Sequence, residues 1–187
     1  MEHEHLEIRW HGRGGQGAIT AAKIVAKATF ESGYPGVAMV PTFGTERRGA
    51  PVFTSLKVSK TKIYDLSPIS RPDIIVVLDH LLLEETDILH GLKPGGILVI
   101  NTPKPLEAYN FDGTRLAVAD VTAVSCRAGL PEGMVNAGII GSFARATDFL
   151  DFALLIRNIE EEFQGRRASE NAQAARLCYE NTTVMGY

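Results

Sequence analysis

The sequence predicts an α/β protein: a three-layer α/β/α sandwich on a mostly parallel, mixed sheet. Three observations carry the prediction. Two short runs, Ile74-Ile75-Val76-Val77-Leu78 and Ile97-Leu98-Val99-Ile100, are apolar without alternation, as strands buried on both faces are. Segments with helical apolar spacing alternate with such runs, the order that builds a sheet covered by helices. A strand-length stretch also leads straight into Gly12, Gly14, Gly15 and Gly17, followed by alanine-rich sequence.

Residues 6–11 read as the first strand and 18–32 as a helix. Ile19, Ala22, Val25, Ala26 and Phe30 form its apolar face, and Gly33-Tyr34-Pro35-Gly36 ends it. Residues 37–40 form a short second strand. After a polar loop over 41–51, residues 52–59 alternate Val52, Thr54, Leu56 and Val58 with Phe53, Ser55 and Lys57, predicting an antiparallel strand near an edge. The two apolar runs are the next strands, with a helix over 81–92 between them and the turn Lys93-Pro94-Gly95-Gly96 before the second. Residues 116–121 read as the last strand. Helices over 135–147 and 152–163 follow, then a final, polar helix over 167–181. Without internal repeats or a low-complexity linker, residues 1–187 are expected to form one domain.

Composition narrows the function. Of the 187 residues 45% are hydrophobic and 22% charged, and the net charge of −3 gives no bulk attraction to nucleic acid or an anionic membrane. No apolar run approaches the roughly 20 residues that span a bilayer. The start, Met1-Glu2-His3-Glu4-His5, is polar and acidic, unlike a secretory signal, so a cytoplasmic protein is expected. Two cysteines, Cys126 and Cys178, cannot supply the four thiolates of a conventional iron–sulfur cluster or a four-cysteine zinc site. His3 and His5 lack a second ligand pair, so no metal site is expected. Ser125 and Cys126 lack the surroundings of an activated nucleophile, and no nucleophile elbow is present. Asp79-His80 follows a buried strand, where α/β proteins place functional groups, but helix capping accounts for Asp79. No catalytic residue is assigned.

Gly12, Gly14 and Gly17 have the spacing of a dinucleotide-binding loop, in which glycines allow backbone N–H groups to approach a phosphate at a helix N-terminus. An NAD site also requires an acid at the end of the second strand to hold the ribose hydroxyls. Here Val37-Ala38-Met39-Val40 runs into Pro41-Thr42-Phe43, with Glu31 before the turn and Glu46 well beyond the strand. A phosphate-binding P-loop is excluded because Ala18-Ile19, not Lys-Ser/Thr, follows Gly17. A tight strand-to-helix turn that binds nothing also explains the glycines. The second unusual loop, Phe43-Gly44-Thr45-Glu46-Arg47-Arg48-Gly49-Ala50-Pro51-Val52, sets an acid and two guanidinium groups between glycines. It reads either as a solvated turn or as an anion-binding loop.

Together these two loops resemble those of the gamma subunit of the 2-oxoacid:ferredoxin oxidoreductases, especially the pyruvate and branched-chain members. Met134-Val135-Asn136-Ala137-Gly138-Ile139-Ile140-Gly141-Ser142-Phe143 is similar to a helix of the same family. The resemblance implies a non-catalytic subunit of a complex that oxidatively decarboxylates a 2-oxoacid to an acyl-CoA and passes electrons to ferredoxin. Its implied partners are alpha, beta and delta-type subunits. Thiamine diphosphate with Mg and the [4Fe–4S] clusters are implied to lie on those other subunits, with CoA on or between subunits. The implied cofactor-binding residues are Gly12, Arg13, Gly14, Gly15, Gln16, Gly17, Glu46, Arg47, Arg48 and Gly49. Of these, Arg13, Arg47 and Arg48 are candidates for CoA phosphates or partner carboxylates. A chain without its partners is expected to show an unfilled groove beside the two loops, and either to form a homodimer or to bind nothing measurable. The alternative is a stand-alone nucleotide-binding, NAD-dependent enzyme.

Overall fold

The structure, a computed structural model, describes residues 4–41 and 48–186. Seven strands form one sheet in the order β2-β3-β1-β4-β5-β6-β7. They are β1 (His5–Arg13), β2 (Gly36–Pro41), β3 (Pro51–Ser59), β4 (Ile74–Val77), β5 (Ile97–Asn101), β6 (Arg115–Ala119) and β7 (Thr183–Met185). The β1–β4, β4–β5 and β5–β6 pairs are parallel. The β1–β3, β2–β3 and β6–β7 pairs are antiparallel. Only β3 and β7 therefore run against the rest, and the expected mostly parallel, mixed sheet is observed. The alternating segment β3 is antiparallel as expected, but it lies one strand in from the edge, which β2 occupies.

The layers on the two faces are unequal. The longer helices gather on one face: α1 (Ala18–Glu31), α4 (Asn136–Thr147), α5 (Phe152–Glu162) and α6 (Ala168–Asn181), with the shorter α3 (Val121–Arg127). Their core takes Ile8 and Trp10 from β1, Ile74 and Val76 from β4, and Val99 and Ala117 from β5 and β6. Trp10 packs on Phe143 of α4 with ring centroids 5.3 Å apart. The opposite face holds a smaller core of Ile75, Val77, Leu98 and Ile100. Only one helical turn, α2 (Leu82–Glu85), the 3-10 turn Leu106–Ala108 and loops cover it.

Three local readings need correction. The helix predicted over 81–92 stops at Glu85, where Thr86 turns to extended backbone and its hydroxyl donates to the Leu82 carbonyl at 3.1 Å. The Thr86 N–H also bonds to the Leu82 carbonyl, at 3.1 Å, so the chain completes one turn before it leaves the helix. The helix predicted to be polar, α6, buries Ala172, Ala174, Ala175 and Cys178 completely. It crosses α4 so closely that a Cβ on Gly141 would lie 2.0 Å from the Ala175 carbonyl oxygen. Small residues make this interface, so large apolar side chains do not announce it. Finally, 116–121 is not the last strand: α3 begins at Val121, capped by Asp120 through the Ala123 N–H at 2.9 Å, and β7 adds the far edge.

Candidate functional site

The sheet order creates a switch point. From β1 the chain goes through α1 to β2 and β3 on one side, then returns to β4 on the other. In open α/β sheets ligands favour the crevice at the carboxyl ends of such strands. The glycine loop follows β1 at this place. Gly12 packs closely, since a Cβ there would lie 3.3 Å from the Ala18 Cβ and 3.4 Å from the Leu78 Cβ. Gly17, at φ +79°, precedes α1, and a Cβ on it would meet the Asn136 amide nitrogen at 2.7 Å. The Val135-Asn136 pair at the start of α4 therefore buttresses the glycine loop, which brings a third sequence motif to the other two.

On the β4 side the loop is sealed. Arg13 Nε donates to Asp79 Oδ2 at 2.7 Å, and its Nη1 and Nη2 donate to the two Glu85 carboxylate oxygens at 3.1 and 2.6 Å. Gln16 Oε1 accepts from the Arg13 N–H at 2.8 Å and folds the loop back on itself. Asp79 also caps the following turn, accepting from the Leu81 N–H at 3.0 Å. Burial alone would raise the Asp79 carboxyl. The hydrogen bonds from Arg13 and the Leu81 N–H outweigh it and hold the group below its ordinary value. Glu85 is lowered chiefly by its bond to Arg13, and the same bonds hold the guanidinium proton more firmly than usual. These ion pairs tie the glycine loop to the end of β4 and the turn that follows it.

On the β3 side the loop is open. The two sequence motifs meet through backbone bonds, Gly14 N–H to the Ala50 carbonyl at 2.9 Å and Gly49 N–H to the Gly14 carbonyl at 3.0 Å. Arg13 Nη1 adds a bond to the Gly49 carbonyl at 3.3 Å. A groove of about 380 Å³ runs between them, lined by Gly15, Gly17, Ala18, Ile19, Arg48 and Val52, among others. Among the described residues no side chain caps the α1 N-terminus, and its first turn carries no acid. Its outward N–H groups and partial positive charge therefore face the groove. Arg48 lies beside Gly15, where an added Cβ would meet its Cγ at 3.8 Å. Among the described residues Arg48 is exposed and makes no hydrogen bond or ion pair. Ile19, 39% exposed, adds an apolar wall. The arrangement can hold an anionic group whose apolar continuation leaves along Ile19 and Val52.

Of the residues singled out by sequence, Gly12, Arg13, Gly14, Gly15, Gln16, Gly17, Arg48 and Gly49 are brought together here. Arg13 and Arg48 both line the groove, but the Arg13 guanidinium is committed to Asp79 and Glu85, whereas Arg48 has no partner among the described residues. Glu46 and Arg47 lie outside the described residues. Sequence reasoning gave Glu85 no role, took Asp79 only as a cap and did not place Asn136 against the glycine loop. Among the described residues no group of three or more His, Cys, Asp or Glu side chains could hold a metal ion. Nor is any helix among them long and apolar enough to cross a membrane.

Residues 7–181 match the family model described as pyruvate ferredoxin/flavodoxin oxidoreductase. The common gamma subunit of the pyruvate/ketoisovalerate oxidoreductases of Thermococcus litoralis is 41% identical over 184 residues, covering 96% of this chain and 98% of that one. The crystal structure of pyruvate oxidoreductase subunit PORC from Thermotoga maritima superposes with a TM-score of 0.84 at 31% identity, over 98% of this chain and all of that one. The 2-oxoglutarate:ferredoxin oxidoreductase of Magnetococcus marinus, solved with 2-oxoglutarate, coenzyme A and succinyl-CoA, shares the fold. Its TM-score is 0.72 at 18% identity, over 96% of this chain and 32% of that longer one.

Proposed function

The chain belongs to the pyruvate ferredoxin/flavodoxin oxidoreductase family, and on that premise we propose that it works as the gamma subunit of a cytoplasmic 2-oxoacid:ferredoxin oxidoreductase. The complex oxidatively decarboxylates pyruvate or a related 2-oxoacid to the acyl-CoA and carbon dioxide, and delivers two electrons to ferredoxin. This chain is not catalytic alone. Thiamine diphosphate with Mg and the [4Fe–4S] clusters belong to the alpha, beta and delta-type partners. The independent NAD-dependent enzyme is not supported: the relatives are oxidoreductase gamma subunits, and no acid ends the second strand to hold a ribose.

The observation that carries the local reading is the open groove with a helix N-terminus and an Arg48 that, among the described residues, have no side-chain cap and no ion-pair partner. CoA presents phosphates joined to a long, largely uncharged pantetheine arm. A phosphate at the α1 N-terminus would accept backbone N–H bonds and meet Arg48, with the arm passing Ile19 and Val52 toward a catalytic subunit. The groove is too small to enclose CoA, so the site is completed by a partner. Gly12, Gly14, Gly15, Gly17 and Gly49 let the two backbones approach. Arg13 and Gln16 hold the loop, and Glu46 and Arg47, which lie outside the described residues, are kept in the site as candidates of the same sequence motif.

The test is anaerobic affinity purification of the tagged chain from its host, with an assay for CoA-dependent 2-oxoacid oxidation. The expected result is a stoichiometric complex containing a thiamine-binding subunit and a cysteine-rich subunit, with activity. Recovery of the chain alone, or as a homodimer with a bound nucleotide, would overturn the proposal.

A further inference from the structure

The opposite face of β1 carries a feature that the glycine-loop site does not use. Side chains alternate along a strand, so Arg9 and His11 point away from the Ile8–Trp10 core. This part of the sheet has no long helix over it. A pocket of about 520 Å³ opens there, walled by Pro51, Val52, Phe53, Leu82 and Ile88, with Arg9 and His11 also lining it. Thr86, Asp87 and His90 form its outer lip.

Its charge is unusual. Arg9 is only 9% exposed, and its Nη2 donates to the Ile88 and His90 carbonyls at 2.7 Å each. Among the described residues no carboxylate forms an ion pair with it, and its Nε has no partner. Asp87 is the acid that influences Arg9, but its side chain is 80% exposed and lies 3.8 Å from His90. The His11 ring stacks on Phe53 with centroids 5.5 Å apart, and its buried Nε2 also lacks a partner. A buried guanidinium without a counter-anion and two unmet polar atoms are costly in an apolar surround. A ligand that supplied an anion would relieve the Arg9 charge, and an apolar body attached to it would match the apolar walls of the pocket.

We propose that this pocket binds a small organic carboxylate with an aromatic or branched apolar body, at a site across β3 from the glycine-loop groove. The carboxylate faces the Arg9 guanidinium, and the apolar body lies among Pro51, Phe53, Leu82 and Ile88. The stacked His11 and Phe53 rings both line the pocket, so occupancy is read at both. Burial and the Arg9 charge push the His11 imidazole down to about 4, so it is neutral near pH 7. Binding an anion beside Arg9 would raise it.

The full chain is titrated with benzoate, with benzyl alcohol as a neutral analogue of similar shape and with inorganic phosphate as an anion lacking an apolar body. The His11 and Phe53 ring signals are followed by NMR. Benzoate is expected to shift both saturably and to bind at least about tenfold more tightly than benzyl alcohol, the factor a charge-assisted contact of ~1.4 kcal/mol supplies. Phosphate is expected to leave both signals in place. Arg9→Gln should abolish the preference for benzoate over benzyl alcohol. Because Arg9 is buried and its loss threatens folding, Phe53→Leu serves as the second variant and should weaken benzoate at least about fivefold. Equal binding of benzoate and benzyl alcohol would overturn the proposal, as would unshifted ring signals or an unchanged affinity in Phe53→Leu. Val52 lines both this pocket and the glycine-loop groove, so the readout is kept to the His11 and Phe53 rings, which line this pocket alone.

Discussion

The two sides of the glycine loop differ in a way that separates what the loop is made of from what it is for. Toward β4 every strong polar group has an internal partner: Arg13 bridges Asp79 and Glu85, and Gln16 closes onto the Arg13 N–H. Toward β3 the backbone of the two loops is zipped together, but the α1 N-terminus has no cap and Arg48 stands unpaired among the described residues. Two arginines of adjacent motifs, both plausible anion ligands by chemistry, are thus given different tasks by their neighbours. The satisfied side builds the loop, and the unsatisfied side is left for a ligand or partner.

Several variants would break or sharpen that contrast. The largest effect falls on the strand that both sides share. His11, at about 4 in the folded chain against an ordinary 6.5, resists protonation because of burial first and Arg9 second. The unfolded chain takes the proton more readily, so folding stability is full above pH 6.5 and falls as the pH drops toward 4. The loss is about 3 kcal/mol over that window. Denaturant titrations at pH 7 and pH 4.5 should show it, and His11→Gln should remove this part of the slope; an unchanged slope in the variant would contradict the burial argument.

Gly17→Ala comes next. It places a Cβ against Asn136 at a positive φ, and should lower stability by about 2 kcal/mol or more. A thermal melt within a degree of wild type would mean that Asn136 does not brace the loop. Arg13→Ala leaves the partly buried Asp79 without its cation, with an expected loss of about 1 kcal/mol and a rise in the Asp79 pKa. Carboxyl NMR titration of the variant checks the second part. Arg48→Ala should change stability by less than ~0.5 kcal/mol, because nothing among the described residues depends on it. A large loss of stability there would erase the distinction between the two sides.

Much of this was legible in the chain. The unbroken apolar runs at 74–78 and 97–100 are the sheet centre because strands covered on both faces have no polar side to display. The glycine loop and the Arg48-Gly49-Ala50 segment are legible because unusual backbone needs unusual residues. The seal was not legible. Asp79 and Glu85 lie 66 and 72 positions from Arg13, and Asp79 already had a sufficient local role as a cap. The buried stripe of α6 was hidden because alanine and a glycine on the facing helix make a close crossing without strong hydropathy. The one-turn α2 escaped notice because apolar periodicity does not register where the chain leaves the helix.

The most direct test of the account is the CoA dependence of the reconstituted complex carrying Arg48→Ala in this subunit, beside Arg13→Lys as a control. The account predicts that Arg48→Ala raises KM for CoA at least about fivefold, the loss expected for one charge-assisted phosphate contact, while kcat and KM for the 2-oxoacid stay near wild type. Arg13→Lys keeps the charge but not the fork to Asp79 and Glu85, so it should change KM for CoA less than Arg48→Ala does. An unchanged KM for CoA in Arg48→Ala would contradict the assignment of the open groove to CoA and return that face to the partner subunits alone.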